Sequence, residues 1–388
     1  MRSSIKHFLF LLVALVVTGT VTSCSDDDVL PNGGTPMIEY VRVTRPEASD
    51  SLITKAGQGQ MIAIIGQNLQ DARELWINDR EATLQSTFIT NTSIITRVPS
   101  DIPTEITNKM RIVFADGQTL EHDFVVDISE PVPTYMESEY VNAGGIATIR
   151  GSYFYDPIQV FFTGADGASV EGEVVESMPN EIQVRVPEGA EPGPLTIKTN
   201  FGETESDFWF RDNRNIIADY DDTDFTGWWH GPNFISNGTD AIEPISGNFI
   251  YFDKEDTGGW FEAWVGEGTI KQKTQNIPAA AFANPSAYSL VFEMNTVTPL
   301  VYDGIRLTFS SNGGPGNRDL ASYTWNANID TQNEWQTVSI PFEEIYEANN
   351  KNGNTFTYNE NGYAVSFHFV GPGTTAQFAM DNLRVVPR

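Results

Sequence analysis

An internal repeat constrains this chain more than any other feature of its sequence. The run from Gly59 through Gly66 to Leu69 lines up with the run from Gly145 through Gly151 to Phe154. Ser93–Val98, closed by Pro99, matches Glu181–Val186, closed by Pro187, and Met110–Gly117 matches Leu195–Gly202. The offsets of 85, 88 and 85 residues keep one spacing across three blocks. Each copy consists of short Val, Ile, Thr and Phe runs that alternate with polar residues and stop at Gly, Pro or Asn. That pattern predicts half-buried strands in a β-sandwich, present twice. Gly66 and Gly151 directly follow strands, where the missing Cβ permits a positive φ or a close backbone approach.

The order of apolar strand, Gly, polar residue, Asn or Tyr, then Leu or Phe, with a later strand ending in Val-Pro, resembles the immunoglobulin-like IPT/TIG domain. The resemblance covers residues 36–128 and 129–212. Neither copy shows paired carboxylates or a nucleophile beside a base. Together they hold one histidine, His122, and two tryptophans, Trp76 and Trp209, expected as core or inter-domain packing residues. Both copies therefore read as spacers.

Residues 213–388 break the repeat and suit one larger sandwich. Strands are expected at 247–252, 289–294, 305–310, 336–340, 364–370 and 376–386, with a bulge near Asp381-Asn382 where the apolar phase switches. A short helix is expected from Pro341, which is tolerated in a first turn. The predicted fold is all-β: two Ig-like sandwiches in series, then a jelly-roll-like C-terminal sandwich.

Six of the eight tryptophans fall in this last block. Trp228 and Trp229 sit in a turn-rich segment. Trp260, Glu262 and Trp264 share one face if their run is extended, as do Tyr323 and Trp325, with Asn326 following. A sugar ring offers apolar C–H faces and a belt of hydroxyls, so it asks for aromatic faces flanked by polar side chains. Trp228, Trp229, Trp260, Trp264, Tyr323, Trp325, Glu262 and Asn326 are the candidate glycan contacts. The plainer account of any one tryptophan is core filling, above all for Trp335 at the head of a core strand.

The N-terminus is an address. Arg2 and Lys6 precede the apolar run Phe8–Val17, too short to span a bilayer but suited to a signal peptide over residues 1–23. The only cysteine, Cys24, ends a stretch that resembles a bacterial lipobox, which implies cleavage before Cys24 and acylation, a palmitate-type anchor. One cysteine excludes an internal disulfide or a zinc cluster. Asp26, Asp27 and Asp28 resemble the acidic signal that sends Bacteroidota lipoproteins to the cell surface, and residues 24–35 read as a flexible tether. The net charge is −29, from 23 basic and 52 acidic residues, and loss of Arg2 and Lys6 takes it to −31. A polyanion is repelled by nucleic acid and by acidic polysaccharides.

The whole layout is similar to the surface glycan-binding proteins, elongated B type, of Bacteroidota polysaccharide-utilisation systems. The resemblance implies a lipid-anchored outer-membrane protein whose C-terminal domain holds a polysaccharide while the Ig-like domains project it beside an uptake complex. Charge leaves neutral chains such as β-glucan, mannan, xylan or xyloglucan. No catalysis is expected: a glycosidase needs two carboxylates flanking the bond, and Glu262 and Glu293 stand alone. A protein-binding adhesin is the alternative reading. Asp219, Asp221, Asp222, Asp224 and Asp381 could supply oxygen ligands to a structural Ca²⁺, although a solvated acidic loop is the plainer account.

Overall fold

The computed structural model describes residues 34–388, apart from 49, 222–233, 256–260, 267–273, 311–320, 370–372 and 374. The chain divides into two compact units, one ending at Ile128 and the other spanning Ser129–Arg388.

In the first unit, one sheet runs Met37–Val43, Met61–Gln67, Ser93–Arg97. The facing sheet runs Arg80–Ala82, Ala72–Ile77, Lys109–Phe114, Thr119–Asp123. Between them lie Ile62, Ile64, Leu75, Ile112 and Phe124, all fully buried. Strict alternation in Lys109–Phe114, with Met110, Ile112 and Phe114 inward, shows why the sequence folds this way.

The second copy repeats this topology, as its sequence requires. Its strands run Val132–Met136, Ile146–Ser152, Glu181–Arg185, Ser169–Met178, Gln159–Thr163, Gly193–Thr199, Gly202–Phe210. The ten-residue strand Ser169–Met178 pairs on both sides and joins what are two separate sheets in the first copy. Gly66 and Gly151 owe their identity to close approach. A Cβ would fall 1.9 Å from the Met37 carbonyl oxygen and 2.2 Å from that of Val132. The positive φ lies two residues further on, at Asn68 and Tyr153.

The rest of the second unit is a two-sheet sandwich. Its first sheet runs Ile235–Ser236, Phe249–Lys254, Ala376–Pro387, Tyr288–Thr296, Gln336–Pro341, with Ile216–Ala218 pairing the far part of Ala376–Pro387. The second runs Phe261–Gly266, Ala364–Phe369, Leu300–Ser310, Tyr323–Ile329. Leu290, Phe292, Ile305, Leu307, Val365 and Phe378 form the core between them. The expected bulge is present: Val291 pairs Arg384 and Glu293 pairs Asp381, so Ala376–Pro387 carries one extra residue there, with Asn382 at φ 52°. The expected helix covers Phe342–Asn349, with Pro341 as its N-cap residue.

Within Ser129–Arg388 the Ig-like copy and the sandwich keep separate cores, yet a buried polar knot joins them. Arg384, fully buried in the last strand, gives Nη2 to Glu139 Oε2 at 2.5 Å and to Glu293 Oε1 at 2.9 Å. Glu139 N–H donates to Thr337 Oγ1, whose hydroxyl donates to Glu293 Oε2, both at 2.7 Å. The Thr337 N–H donates to the Glu137 carbonyl at 2.7 Å. Tyr140 donates to the Asp212 carbonyl at 2.9 Å. Side chains 245 residues apart thus lock the joint. Glu293, isolated in sequence, is here a buried structural carboxyl group held by Arg384 and Thr337.

Trp76 and Trp209 do not fill the cores, the first of the two roles expected of them, while Trp209 meets Arg214 of the following block. Both are half-buried and lie outside the cores. Arg111 and Arg214 each cover one ring, at 5.8 and 4.1 Å from the centroid.

Candidate functional site

The second sheet of the C-terminal sandwich has an unusual outer face. Its inner face feeds the core through Ile305, Leu307, Phe309, Val365, Phe367 and Phe369. The alternate positions are Arg306, Thr308 and Ser310 on one strand and Ser366 and His368 on its neighbour. Outer faces of sandwiches are ordinarily solvated. Here Thr308, Ser366 and His368 are at most 1% exposed, and Arg306 is half-buried. A polar face withdrawn from bulk water strengthens each hydrogen bond it makes and penalises each one left unmade.

Register assembles this face in rows. Arg306 pairs with His368 on one side and with Thr324 on the other, and Thr308 pairs with Ser366. The edge strand Phe261–Gly266, described by its backbone, sets Glu262 opposite His368 and Trp264 opposite Ser366. The first row thus reads Glu262, His368, Arg306, Thr324, and the second Trp264, Ser366, Thr308. Four strands, Phe261–Gly266, Ala364–Phe369, Leu300–Ser310 and Tyr323–Ile329, bring these residues together. The hydroxyl of Thr308 is buried without a partner among the described residues, an acceptor and donor still to be satisfied.

The expected contacts therefore divide. Glu262 and Trp264 hold register positions on the outer face, and exposed Asn326 lies on the same phase of Tyr323–Ile329 as Thr324. Tyr323 and Trp325 take the opposite phase. Trp325 meets Phe292 and Phe367 edge-on, with ring centroids 5.8 and 6.0 Å apart, so it extends the core in place of a sugar-stacking surface. Tyr323 gives its hydroxyl to Glu344 Oε2 at 2.9 Å, and partial burial with that bond pushes its pKa up to about 12. The reason is the period of two: a strand cannot turn Tyr323, Trp325 and Asn326 to one side. Trp228, Trp229 and Trp260 lie outside the described residues, as do Cys24 and the whole N-terminal address.

Arg306, Thr308, Ser366 and His368 were not among the sequence candidates. Their signal was legible, because Ile305–Ser310 and Ala364–Phe369 both alternate apolar with polar residues. What hid it was the ordinary assumption that the polar phase of such a strand faces solvent.

Trp335 packs at the margin of a small core cluster of Ile242, Phe249 and Ala379. It is half-buried, donates Nε1–H to the Glu243 carbonyl at 2.8 Å and stands edge-on to Phe249 at 5.4 Å. Among the acidic residues considered for Ca²⁺, Asp221 accepts the Asn248 N–H. Asp381 is buried, and burial, with Asp221 and Glu293 nearby, pushes its carboxyl well up. Among the described residues no three His, Cys, Asp or Glu converge as a metal site, and Asp222 and Asp224 lie outside them.

Comparison with known proteins adds the following. Residues 210–387 match the family model of the surface glycan-binding protein B xyloglucan-binding domain. An IPT/TIG domain-containing protein of Bacteroides ovatus is 25% identical over 306 residues. That alignment covers 74% of this chain and 59% of the relative, so the chain spans about three-fifths of the curated protein it matches. The crystal structure of the surface glycan-binding protein PbSGBP-B from Prevotella bryantii superposes with a TM-score of 0.68 at 22% identity, over 91% of this chain and 99% of that one. That likeness establishes a shared all-β fold.

Proposed function

We propose, from the match of residues 210–387 to the surface glycan-binding protein B family model, that this chain is a non-catalytic cell-surface protein that holds a neutral polysaccharide for uptake or degradation. The observation that carries the reading is the accessible part of the second sheet's polar outer face, half-buried Arg306 with exposed Thr324 and Asn326, set beside the buried Thr308, Ser366 and His368. A guanidinium, a hydroxyl and an amide match the hydroxyl belt of a sugar, while Trp264 at the sheet edge supplies a stacking residue type. Trp228, Trp229 and Trp260 are the proposed aromatic partners that extend this surface.

A net charge of −29 favours an uncharged chain. Xyloglucan is the first ligand to test, ahead of mixed-linkage β-glucan, mannan and xylan. Acylation at Cys24, attachment to the outer membrane and delivery to an outer-membrane uptake complex complete the proposal. A diacyl or triacyl anchor would hold the chain stably, at about 0.8 kcal/mol for each buried CH₂.

Calorimetry of the full chain against soluble xyloglucan, β-glucan, mannan and xylan, with a reducing-end assay alongside, tests the reading. Saturable heat without new reducing ends supports it. Release of oligosaccharides overturns the non-catalytic assignment, and silence against every polysaccharide leaves the adhesin. Trp260→Ala and Trp264→Ala should weaken binding while leaving thermal unfolding unchanged.

A further inference from the structure

A second concave surface lies in the same unit, away from the outer face of the second sheet. It is a cleft of about 560 Å³ between the second Ig-like copy and the edge of the first sheet. Ligand pockets typically occupy a few hundred to about 1,000 Å³ and favour domain junctions. Trp335 and Pro244 give this cleft apolar surface, and Asn142, Gln183, Gln332 and Gln336 line it with amides. Glu243 and Glu334 add carboxylates, and no Lys or Arg is among its described lining residues. With Glu137 also in the lining, its carboxylates disfavour an anion. A neutral polyol would find an aromatic ring beside fixed donors and acceptors.

The walls are held in place before any ligand arrives. The Thr337 bonds to Glu137 and Glu139 tie them together on one side. Asn142 Nδ2 donates to the Pro244 carbonyl at 3.3 Å, and Arg211 Nη2 donates to Asn142 Oδ1 at 2.7 Å. Trp335 is fixed by its bond to Glu243 and its edge contact with Phe249. A preformed site loses less affinity to ordering than one that must assemble.

We propose that this cleft is a second saccharide-binding site, which takes a neutral oligosaccharide against Trp335 and the surrounding amides. The ligand class rests on the glycan-binding reading above. With two sites on one locked unit, a polymer long enough to reach both binds more tightly than either site alone allows.

Titration calorimetry of the full chain with short oligosaccharides released from xyloglucan tests this. Two molecules should bind per wild-type chain. Gln332→Ala with Gln336→Ala should reduce this to one, as should Trp335→Ala if it folds, while Trp264→Ala should leave the cleft occupied. On polymeric xyloglucan the paired glutamine variant should lose at least about tenfold in affinity. A wild-type stoichiometry of one, unchanged by the glutamine substitutions, overturns the second site and leaves the first intact. Absence of heat with every saccharide overturns both.

Discussion

The buried knot at Arg384 yields the sharpest prediction. Arg384→Met removes the cation that bonds Glu139 and Glu293 and also the donor to the Asn382 carbonyl. Arg384 and Glu293 are fully buried and Glu139 nearly so, which leaves two carboxylates facing each other away from water. Removing one partner of a buried ion pair costs about 3–5 kcal/mol, and in a domain of this size each kcal/mol lowers Tm by about 2–4 °C, so a drop of roughly 6–20 °C is expected. The loss should depend on pH. Burial, opposed by Arg384 and aided by Glu293, already pushes the Glu139 carboxyl up to about 7. Without the guanidinium the Glu139 carboxyl holds its proton more firmly, so acid relieves the variant. Calorimetric scans at pH 5 and pH 8 should show the smaller deficit at pH 5. Replacing Arg384, Glu139 and Glu293 together by apolar residues of similar volume should recover much of the loss. A Tm change under about 2 °C, or a deficit equal at both pH values, would refute the view that this triad locks the joint.

Three other outcomes are expected. In the wild type, Glu139 and Asp381 are both raised when folded, so the stability each contributes is complete below its unfolded pKa and falls as pH rises. For Glu139 that window runs from about 4.5 to about 7, and Tm measured across it should decline. Gly66→Ala or Gly151→Ala drives a Cβ into a backbone carbonyl and should destabilise its sandwich by about 1–3 kcal/mol in denaturant titration, the usual cost of overpacking. Phe356→Ala empties a fully buried site ringed by Phe282, Phe309, Phe342 and Tyr363 and should cost about 3–5 kcal/mol in the same assay.

The sequence by itself determined the local and repeated parts of this protein. The 85-residue offset implied two copies of one sandwich, and period-two alternation located six strands of the third but not Phe261–Gly266 or Tyr323–Ile329. The phase switch at Asp381-Asn382 marked the bulge. These signals are local, because side-chain direction along a strand depends only on position. Tertiary structure decided what two phases of a strand meet across space. It turned Trp325 toward Phe292 and buried the polar phase that carries Ser366 and His368. It also set Arg384 between Glu139 and Glu293, residues separated by 245 and 91 positions. Nothing in a single strand encodes its partners. Sheet order and the packing of one domain on another fix them, so the candidate face and the locked joint emerge only when distant segments are brought into register.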